Sequence, residues 1–309
     1  MGKEARLIVI AGPTASGKSA LALEVARRFG GTVVNADTMQ VYADLRIVTA
    51  RPSVEEEALA PHRLYGVLRG DEACSAGRWR DMALAEIERA ELPIVVGGTG
   101  LYLRALLDGI ADLPPIPPLV RQASRDLAAS LGPAFHAELA RLDPVMAARL
   151  RPSDLQRQIR AHEVAMATGR SLAEWQNVST AAFPGRTAVI ALDPPADALR
   201  ARIDDRFAAM VGAGALAEVA ALAVPADAPL AKAVGVPQLR AHVRGEIDLP
   251  NAISAGQAAS RAYAKRQRTW FRHQLPSNLV IQEPLWTKDS AKESVKIFSF
   301  IDDFLLTPG

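Results

Sequence analysis

The chain has 309 residues, of which 49% are hydrophobic and 23% charged, which predicts a folded protein of one large or two modest domains. Its formal net charge of +2 excludes a uniformly basic surface. Its one cysteine, Cys74, excludes an intramolecular disulfide bond, and no apolar run is long enough to span a bilayer. We therefore expect a cytoplasmic protein with no signal peptide and no membrane contact.

A phosphate-binding loop follows the first predicted strand. Residues 7–11 form a continuous apolar run, typical of a strand buried on both faces, and residues 20–29 predict a helix that ends at Gly30. The loop between them fits the pattern G-x-x-x-x-G-K-[ST] and consists of Gly12, Pro13, Thr14, Ala15, Ser16, Gly17, Lys18 and Ser19. Such a loop binds phosphate oxygens through backbone N–H groups at a helix N-terminus. The alternative is a glycine-rich turn that binds nothing.

Two side chains of this loop have separate expected roles. The Lys18 ammonium adds a full positive charge beside the phosphate, and we expect it to face solvent while no ligand is bound. The Ser19 hydroxyl is the expected ligand of a Mg²⁺ ion.

The second predicted strand, residues 32–35, ends two residues before Asp37. Ligand-binding residues lie at the carboxyl ends of strands in open α/β sheets, so Asp37 is a candidate site residue. The alternative is that Asp37 caps a short helix. A third strand is expected at residues 64–68, and a helix at residues 75–90.

Another predicted strand, residues 93–96, leads into Gly97-Gly98 and Thr99. The glycines allow a ligand to approach the backbone closely. Thr99 either lines the same cleft as Lys18 and Asp37 or caps the next helix. No acidic residue ends this strand, as the second metal-binding motif of a nucleotide hydrolase would require, which counts against an ordinary ATPase.

The composition changes at residues 113–118, where four prolines form a stiff connector that cannot continue a helix. The segment that follows predicts only helices, at residues 121–130, 134–142, 145–150 and 154–168. A strand pattern returns at residues 187–192. We therefore predict an α/β core formed by residues 1–113 and 185–309, with a helical insertion domain at residues 114–184.

The C-terminal part predicts helices at residues 199–211, 215–223 and 252–273, a strand at residues 278–281 and an amphipathic helix from Lys288. The longest of these helices carries basic residues on one face: Arg261, Lys265, Arg268 and Arg272. Because aromatic residues are interleaved, this face predicts an RNA or phosphate surface, and the alternative is a solvated face over an aromatic core contact. The histidines lack ligand spacing, so no zinc site is expected.

These residues resemble one family, the tRNA dimethylallyltransferases, also called tRNA isopentenyltransferases. The matching segments follow the family's order and are the phosphate loop, Asp37 with Tyr42, residues 49–52 (TARP), 61–64 (PHRL), 97–102 (GGTGLY) and 156–160 (QRQIR), Arg202 with Arg206 and Phe207, and residues 264–270 (AKRQRTW). The GGT-x-x-Y and KRQ-x-TW segments are especially specific, because ordinary kinases lack them. At residues 234–238 (VGVPQ) the chain departs from the family's usual Gly-Tyr, so we expect no RNA contact there.

The resemblance implies a fold and an activity. The fold is α/β: a P-loop NTPase-like parallel sheet flanked by helices, with an all-helical insertion domain. The activity is tRNA modification, in which a dimethylallyl group moves from dimethylallyl diphosphate to N6 of adenosine 37 beside the anticodon and diphosphate is released. The implied partners are tRNA, through its anticodon stem-loop, and dimethylallyl diphosphate. The implied cofactor is Mg²⁺, and the enzyme is expected to be a monomer.

The resemblance also implies roles for individual residues. Arg206 and the phosphate loop stabilise the leaving diphosphate, Asp37 accepts a proton from the adenine amine, and Thr99 orients Asp37 or the base. The positions expected to bind tRNA are Asp37, Thr38, Met39, Gln40, Thr99, Arg121, Gln156, Arg157, Gln158, Ile159, Arg160, Arg261, Lys265, Arg268 and Arg272.

Two other functions fit part of the sequence. A P-loop kinase would use Lys18 and Ser19 to move the γ-phosphate of ATP to a small metabolite, but it explains neither the GGT segment nor the basic helix. A non-catalytic RNA-binding module would hold a regulatory nucleotide in the loop. Comparing thermal stabilisation by ATP and by dimethylallyl diphosphate distinguishes the kinase from a dimethylallyltransferase. Mass spectrometry of anticodon nucleosides after reaction distinguishes the binding module from a dimethylallyltransferase.

Overall fold

The computed structural model describes residues 5–178, 180–286 and 291–307, and the chain divides into two compact units. One unit comprises Met1–Leu107 with Pro184–Gly309, and the other is the segment Asp108–Phe183. The helical unit begins six residues before the predicted residue 114. Two hydrogen bonds explain this difference, because Ile110 N–H donates to Thr180 Oγ1 and Asp112 N–H donates to the Val178 carbonyl oxygen.

Six parallel strands form one sheet in the described residues, in the order β3-β2-β4-β1-β5-β6. They are β1 Arg6–Ala11, β2 Thr32–Asn35, β3 His62–Arg63, β4 Pro93–Gly97, β5 Arg186–Leu192 and β6 Leu279–Ile281. Strand β1 lies between β4 and β5, with Val9 paired to Val95 on one side and to Val189 on the other. The winding of the chain reverses between β1 and β4, and ligands bind at such a point in open α/β sheets.

The helices are numbered along the chain, and α5 to α9 belong to the helical unit. They are α1 Lys18–Phe29, α2 Val54–Leu59, α3 Ala76–Arg89, α4 Gly100–Leu107, α5 Pro118–Leu131, α6 Phe135–Leu142, α7 Pro144–Arg149, α8 Leu155–Thr168, α9 Leu172–Gln176, α10 Ala196–Gly212, α11 Ala215–Ala221, α12 Val236–Val243, α13 Leu249–Gln274 and α14 Ala291–Leu306. Lys288, where the last helix was expected to begin, lies outside the described residues. None of the helices within the described ranges is long and apolar enough to cross a membrane.

The central strands are apolar because helices bury both faces of the sheet. On one face, Ile10 and Ile94 belong to a core cluster that also includes Val25 of α1 and Ile301 of α14. On α3, which contacts β2, the Trp79 indole N–H donates to the Asn35 carbonyl oxygen at 2.8 Å. Burial of such side chains typically contributes about 1.5–3 kcal/mol each to folding.

The predicted strand at residues 64–68 is wrong. The third strand is β3, His62–Arg63, and it ends because Leu64 and Gly66 have φ values of +63° and +60°. These left-handed conformations cannot continue a strand. The Asn35 Nδ2 atom donates to the Leu64 carbonyl oxygen at 3.1 Å, which fixes the turn beside the end of β2.

The helical unit has a core of its own. Its buried cluster consists of Ile116, Leu139, Met146, Ala147, Ala161, Val164, Leu172 and Ala173. The buried Asp143 carboxylate accepts the Met146 N–H at the start of α7 and the Ser171 hydroxyl before α9, at 3.0 and 2.8 Å. One carboxylate therefore joins the starts of two helices, which compensates for its burial.

Candidate active site

The phosphate loop joins the end of β1 to the start of α1. Gly17 caps α1 with a φ of +91°, a backbone conformation that residues with a Cβ atom rarely adopt. The first hydrogen bond of the helix runs from Leu21 N–H to the Gly17 carbonyl oxygen at 3.1 Å. The N–H groups of residues 18–20 therefore have no helical partner and point out from the helix N-terminus. Together with the helix dipole, they form an anion-binding position.

Lys18 is partly buried beside this loop. Its Nζ atom donates to the Pro13 carbonyl oxygen at 3.3 Å. The expectation that Lys18 faces solvent is therefore wrong, because the ammonium group turns back onto a carbonyl of its own loop. Burial lowers the pKa of Lys18 to about 8; the Asp37 carboxylate opposes this shift, and the Arg206 guanidinium adds to it. An anion bound in the loop would stabilise the charged ammonium.

Arg206 of α10 lies at the same loop, where its Nη2 atom donates to the Thr14 hydroxyl. Burial lowers the pKa of Arg206 to about 10, Arg202 lowers it further, and Asp37 opposes the shift. The tertiary structure thus brings Lys18 and Arg206 together, although 188 positions separate them in the sequence. Two neighbouring cations with a single carboxylate nearby favour an anionic ligand.

Asp37 lies in a turn, and the alternative that it caps a short helix is not realised. Asn35 stabilises this turn, because its Oδ1 accepts the Asp37 N–H at 2.9 Å and its Nδ2 donates to the Asp37 carbonyl oxygen at 3.1 Å. The Asp37 Oδ1 atom in turn accepts the Met39 N–H at 2.9 Å. The carboxylate therefore has a fixed position at the carboxyl end of β2.

Thr99 connects this turn to the end of β4. Its Oγ1 atom accepts the Thr38 N–H at 3.1 Å, and its own N–H donates to the Ala36 carbonyl oxygen at 3.2 Å. The Thr99 carbonyl oxygen accepts the Tyr102 N–H at 3.0 Å at the start of α4. The side chain thus faces the Asp37 turn, and the backbone serves the helix.

Helix α13 contacts both glycine-rich segments. Gln267 is 6% exposed; its Oε1 accepts the Thr14 N–H and its Nε2 donates to the Gly98 carbonyl oxygen, both at 2.8 Å. A Cβ atom on Gly98 would lie 2.2 Å from Gln267 Nε2, and one on Gly100 would lie 2.2 Å from the Trp270 ring. These glycines are therefore needed for the close approach of α13, which links the phosphate loop to the Thr99 segment.

A cavity of about 240 Å³ lies between these elements. At roughly 30 Å³ per water molecule, it has room for a small organic group. The lining residues are Thr14, Asp37, Thr38, Met39, Val48, Thr49, Ala50, Ile203, Arg206, Phe207, Met210, Lys232, Ala233, Val234, Ser260, Tyr263 and Arg266. Thr14 and Arg206 form the phosphate-loop end of this lining, Asp37 and Thr38 form a second polar end, and aliphatic and aromatic side chains form much of the rest. The two polar ends are neighbours, because the Asp37 charge acts on both Lys18 and Arg206.

One wall of the cavity is a loop that other side chains hold in place. The Gln40 Nε2 atom donates to the carbonyl oxygens of Thr49 and Ala50, at 2.9 and 2.8 Å. The Glu218 carboxylate of α11 accepts the N–H groups of Ile47 and Val48, both at 2.9 Å. Gln40 was expected to bind tRNA, but its amide nitrogen stabilises this wall.

Ser260, Tyr263 and Gln267 belong to the site but were not predicted from the sequence. All three are polar residues of α13 that lie on or beside its buried stripe, which consists of Ser260, Ala264, Gln267 and Phe271. Buried polar side chains in the middle of a helix need partners, so a polar residue on an otherwise apolar face was the available signal. Burial, followed by the Asp37 charge, raises the pKa of Tyr263, so its hydroxyl stays protonated at neutral pH.

The arginines on the basic face of α13 form ion pairs within the protein. Arg268 Nε and Arg272 Nε donate to the two carboxylate oxygens of Asp193, at 2.7 and 2.8 Å, and Arg261 pairs with Asp204. The Asp193 side chain is 15% exposed and directly follows β5. Three of the four residues expected to bind RNA on this face therefore already serve ion pairs. Lys265 is exposed.

The helical unit carries the remaining predicted tRNA positions. Arg121, Gln156 and Arg157 are exposed, whereas Ile159 and Arg160 are half-buried. The prediction for Gln158 is wrong: its side chain is fully buried and its Nε2 donates to the carbonyl oxygens of residues 151 and 152, at 3.0 and 2.9 Å. Gln158 thereby stabilises the turn before α8.

The phosphate loop offers one side-chain oxygen, from Ser19, to a metal ion. This suits Mg²⁺, and it does not suit a metal that takes all its ligands from the protein. The described residues contain no group of three or more His, Cys, Asp or Glu side chains that could hold a metal ion. Ser19 is exposed in the first turn of α1. Mg²⁺ commonly takes one or two protein oxygens and completes its shell with substrate phosphates and water. One hydroxyl beside an anion position meets that requirement.

Two family models and many proteins match this chain. A model described as IPP transferase matches residues 40–274, and one described as isopentenyl transferase matches residues 5–72. The chain is 55% identical to a tRNA dimethylallyltransferase of Rhodospirillum rubrum, over 98% of this chain and 96% of the relative. It is 56% identical to a tRNA dimethylallyltransferase of Acidiphilium cryptum, over 87% of this chain and 84% of the relative.

Solved structures have the same fold. The tRNA isopentenylpyrophosphate transferase of Bacillus halodurans is 31% identical with a TM-score of 0.69, and the match covers 98% of this chain and 97% of that one. A eukaryotic dimethylallyltransferase studied while acting on tRNA is 26% identical with a TM-score of 0.84, over 97% of this chain and 79% of that one.

Proposed function

Because the chain belongs to the family of IPP transferases, which includes the tRNA dimethylallyltransferases, we propose that it transfers a dimethylallyl group from dimethylallyl diphosphate to N6 of adenosine 37 in tRNA. The product is N6-dimethylallyladenosine beside the anticodon, and diphosphate is released. The observation that carries this proposal is that one cavity is lined both by Thr14 and Arg206 at the phosphate loop and by Asp37.

The phosphate-loop end suits the diphosphate of the donor. An allylic diphosphate ionises readily when the leaving group is stabilised, and here the N–H groups of residues 18–20 and the cations Lys18 and Arg206 provide that stabilisation. One preorganised contact of this kind is typically worth about 10²–10³ in rate. Thr14 positions Arg206, because its hydroxyl accepts a hydrogen bond from the guanidinium.

The apolar wall suits the dimethylallyl group. Val48, Ile203, Phe207 and Met210 line the cavity between its polar ends. Such a wall excludes water from the allylic carbon, which would otherwise be captured by hydrolysis. The donor would therefore lie with its phosphates on the loop and its hydrocarbon chain directed toward Asp37.

The Asp37 end suits the adenine amine. The C1–O bond of the donor breaks and the bonding electrons leave with diphosphate, while the N6–C1 bond forms and N6 loses a proton. Asp37 Oδ1 is occupied by the Met39 N–H, so we assign the proton to Oδ2. General-base catalysis of this kind contributes about 10²–10⁴ in rate. Thr99 is a positioning residue in this scheme, because its hydroxyl holds the Thr38 N–H beside Asp37.

A Mg²⁺ ion belongs to the proposal through Ser19, which would hold it together with oxygens of the diphosphate. When bound, the ion would add positive charge beside the leaving group. The other proposed contacts to the diphosphate come from protein groups: the N–H groups of residues 18–20, Lys18 and Arg206.

The tRNA enters the proposal as the partner that supplies the adenine. The base must leave its stack to reach the cavity. Exposed residues of the helical unit, Arg121, Gln156 and Arg157, and the exposed Lys265 of α13 are the proposed contacts to the anticodon stem-loop. We propose that the protein acts as a monomer in the cytoplasm.

The test is an incubation of the protein with an anticodon stem-loop, dimethylallyl diphosphate and Mg²⁺, followed by digestion to nucleosides and mass spectrometry. We expect adenosine with one added dimethylallyl group, and none when ATP replaces the donor. Phosphate transfer from ATP to a small alcohol would support the kinase alternative. RNA binding without any modified nucleoside would support the binding-module alternative, and either result would contradict the proposal.

A further inference from the structure

The segment after β6 covers the phosphate loop. Strand β6 ends at Ile281, and the chain then brings Leu285 and Trp286 to Gly17. A Cβ atom built on Gly17 would lie 3.6 Å from Leu285 Cβ and 3.7 Å from Trp286 Cε3, which is ordinary van der Waals contact. An aromatic ring is therefore packed against the residue that caps α1, beside the N–H groups that face the anion position.

Trp286 also supports a cation. The Arg202 guanidinium lies over the Trp286 ring, with its central carbon 4.2 Å from the ring centroid. Arg202 precedes Arg206 by one turn of α10, so the two side chains share a face of the helix. Arg202 is partly buried, and burial lowers its pKa. Its charge also lowers the pKa of Arg206, which shows that the two guanidinium groups are electrostatic neighbours.

The environment of Arg202 differs from that of Arg200 on the same helix. Arg200 is exposed and donates to Asp197 at 3.0 Å. Within the described part of the chain, no carboxylate forms a salt bridge with Arg202, and the indole ring takes the place of one. An indole holds a guanidinium by its quadrupole and does not neutralise it. The positive charge therefore remains available to an external anion.

We propose that Arg202 is a second arginine for the diphosphate of the donor, and that Trp286 is the positioning residue that holds Arg202 beside the phosphate loop. This inference rests on the proposed function and adds two residues to it. The diphosphate carries several negative charges. Lys18, Arg206 and Arg202 would surround it from the loop and from one face of α10, and Trp286 would close the side formed by Gly17.

The test measures the dissociation constant of inorganic pyrophosphate by calorimetry, in the presence of Mg²⁺, for the full chain and its variants. Arg202→Ala and Arg202→Met should each weaken binding about tenfold to hundredfold, since each removes hydrogen bonds to a charged group. Trp286→Ala should weaken binding about three- to tenfold, and Trp286→Phe, which keeps an aromatic face, should restore much of the affinity. Arg200→Ala is the matched control on the same helix and should bind pyrophosphate as the unaltered chain does.

A double variant separates positioning from general stability. If Trp286 acts through Arg202, Trp286→Ala should have no further effect on pyrophosphate affinity in the Arg202→Ala background. Additive losses would overturn the positioning role, and unchanged affinity in both Arg202 variants would overturn the second arginine. An unaltered chain that makes dimethylallyladenosine keeps the proposed function intact in either case. An unaltered chain that neither binds pyrophosphate nor makes this product would refute the proposed function itself.

Discussion

The two ends of the cavity are built from different kinds of groups. The phosphate-loop end consists of the backbone N–H groups of residues 18–20 and the cations Lys18 and Arg206, whose charges are stabilised poorly while no anion is bound. The second end, which neighbours the first, consists of Asp37 and Thr99, and hydrogen bonds of 2.9 to 3.1 Å fix the turn beside them. The first end therefore depends on charge, and the second depends on the position of individual oxygen atoms. Variants at the two ends should change different kinetic constants.

The largest effect is expected at the oxygen-based end. Asp37→Asn keeps the size of the side chain and an oxygen for the Met39 N–H, but it removes the proton acceptor. Turnover should fall by about 10²–10⁴, with little change in pyrophosphate affinity. Single-turnover prenylation of an anticodon stem-loop measures this, with Asp197→Asn as an exposed control. A near-normal rate for Asp37→Asn would remove Asp37 from the role of base.

A somewhat smaller effect is expected at the charge-based end. Lys18→Ala removes a cation from the leaving group and should lower kcat/KM for dimethylallyl diphosphate by about 10²–10³. Affinity for the RNA should stay constant, because the Lys18 ammonium lies on the phosphate loop, where it donates to the Pro13 carbonyl oxygen. Lys296→Ala on α14 is a control of the same chemistry away from the loop. Equal losses of RNA and donor affinity would contradict the separation of the two ends.

Gln267 offers a way to separate the ends with one residue, since it bonds Thr14 at one end and Gly98, next to Thr99, at the other. Gln267→Ala leaves both backbone groups unpaired and should lower the free energy of unfolding by about 1–3 kcal/mol per group. Gln267→Glu can still accept the Thr14 N–H but cannot donate to Gly98. It should therefore lower turnover more than donor affinity, and equal effects on both constants would contradict independent ends.

The smallest effect concerns RNA binding by α13. Lys265→Ala should flatten the plot of log RNA affinity against log salt by about 0.7 to 0.9, the value for one phosphate contact. Arg268→Ala should change that slope less, because Arg268 is already paired with Asp193, and it should lower thermal stability instead. Equal slope changes for both variants would restore the original interpretation of the basic face.

Local sequence patterns predicted most elements of the fold. Apolar runs bounded by glycine or polar residues identified β1, β2, β4 and β5, because strands buried on both faces must be apolar throughout. The third strand was misplaced, since residues 64–68 are also apolar but Leu64 adopts a positive φ. Nothing in the pattern distinguishes an apolar turn from a short strand when hydrogen bonds from distant residues, such as Asn35, decide the backbone conformation.

The sequence by itself determined the α/β class, the phosphate loop with Lys18 and the candidate status of Asp37 and Thr99, because these depend on neighbouring residues and on strand ends. Only the tertiary structure decided that Gln267 joins two segments, that Trp286 lies on Gly17, and that Asp193 pairs with both Arg268 and Arg272. The physical reason is the distance along the sequence between the residues that interact. Strands, turns and caps are set by contacts between residues close in sequence, whereas the charge state and accessibility of a side chain depend on partners that folding brings from far along the chain.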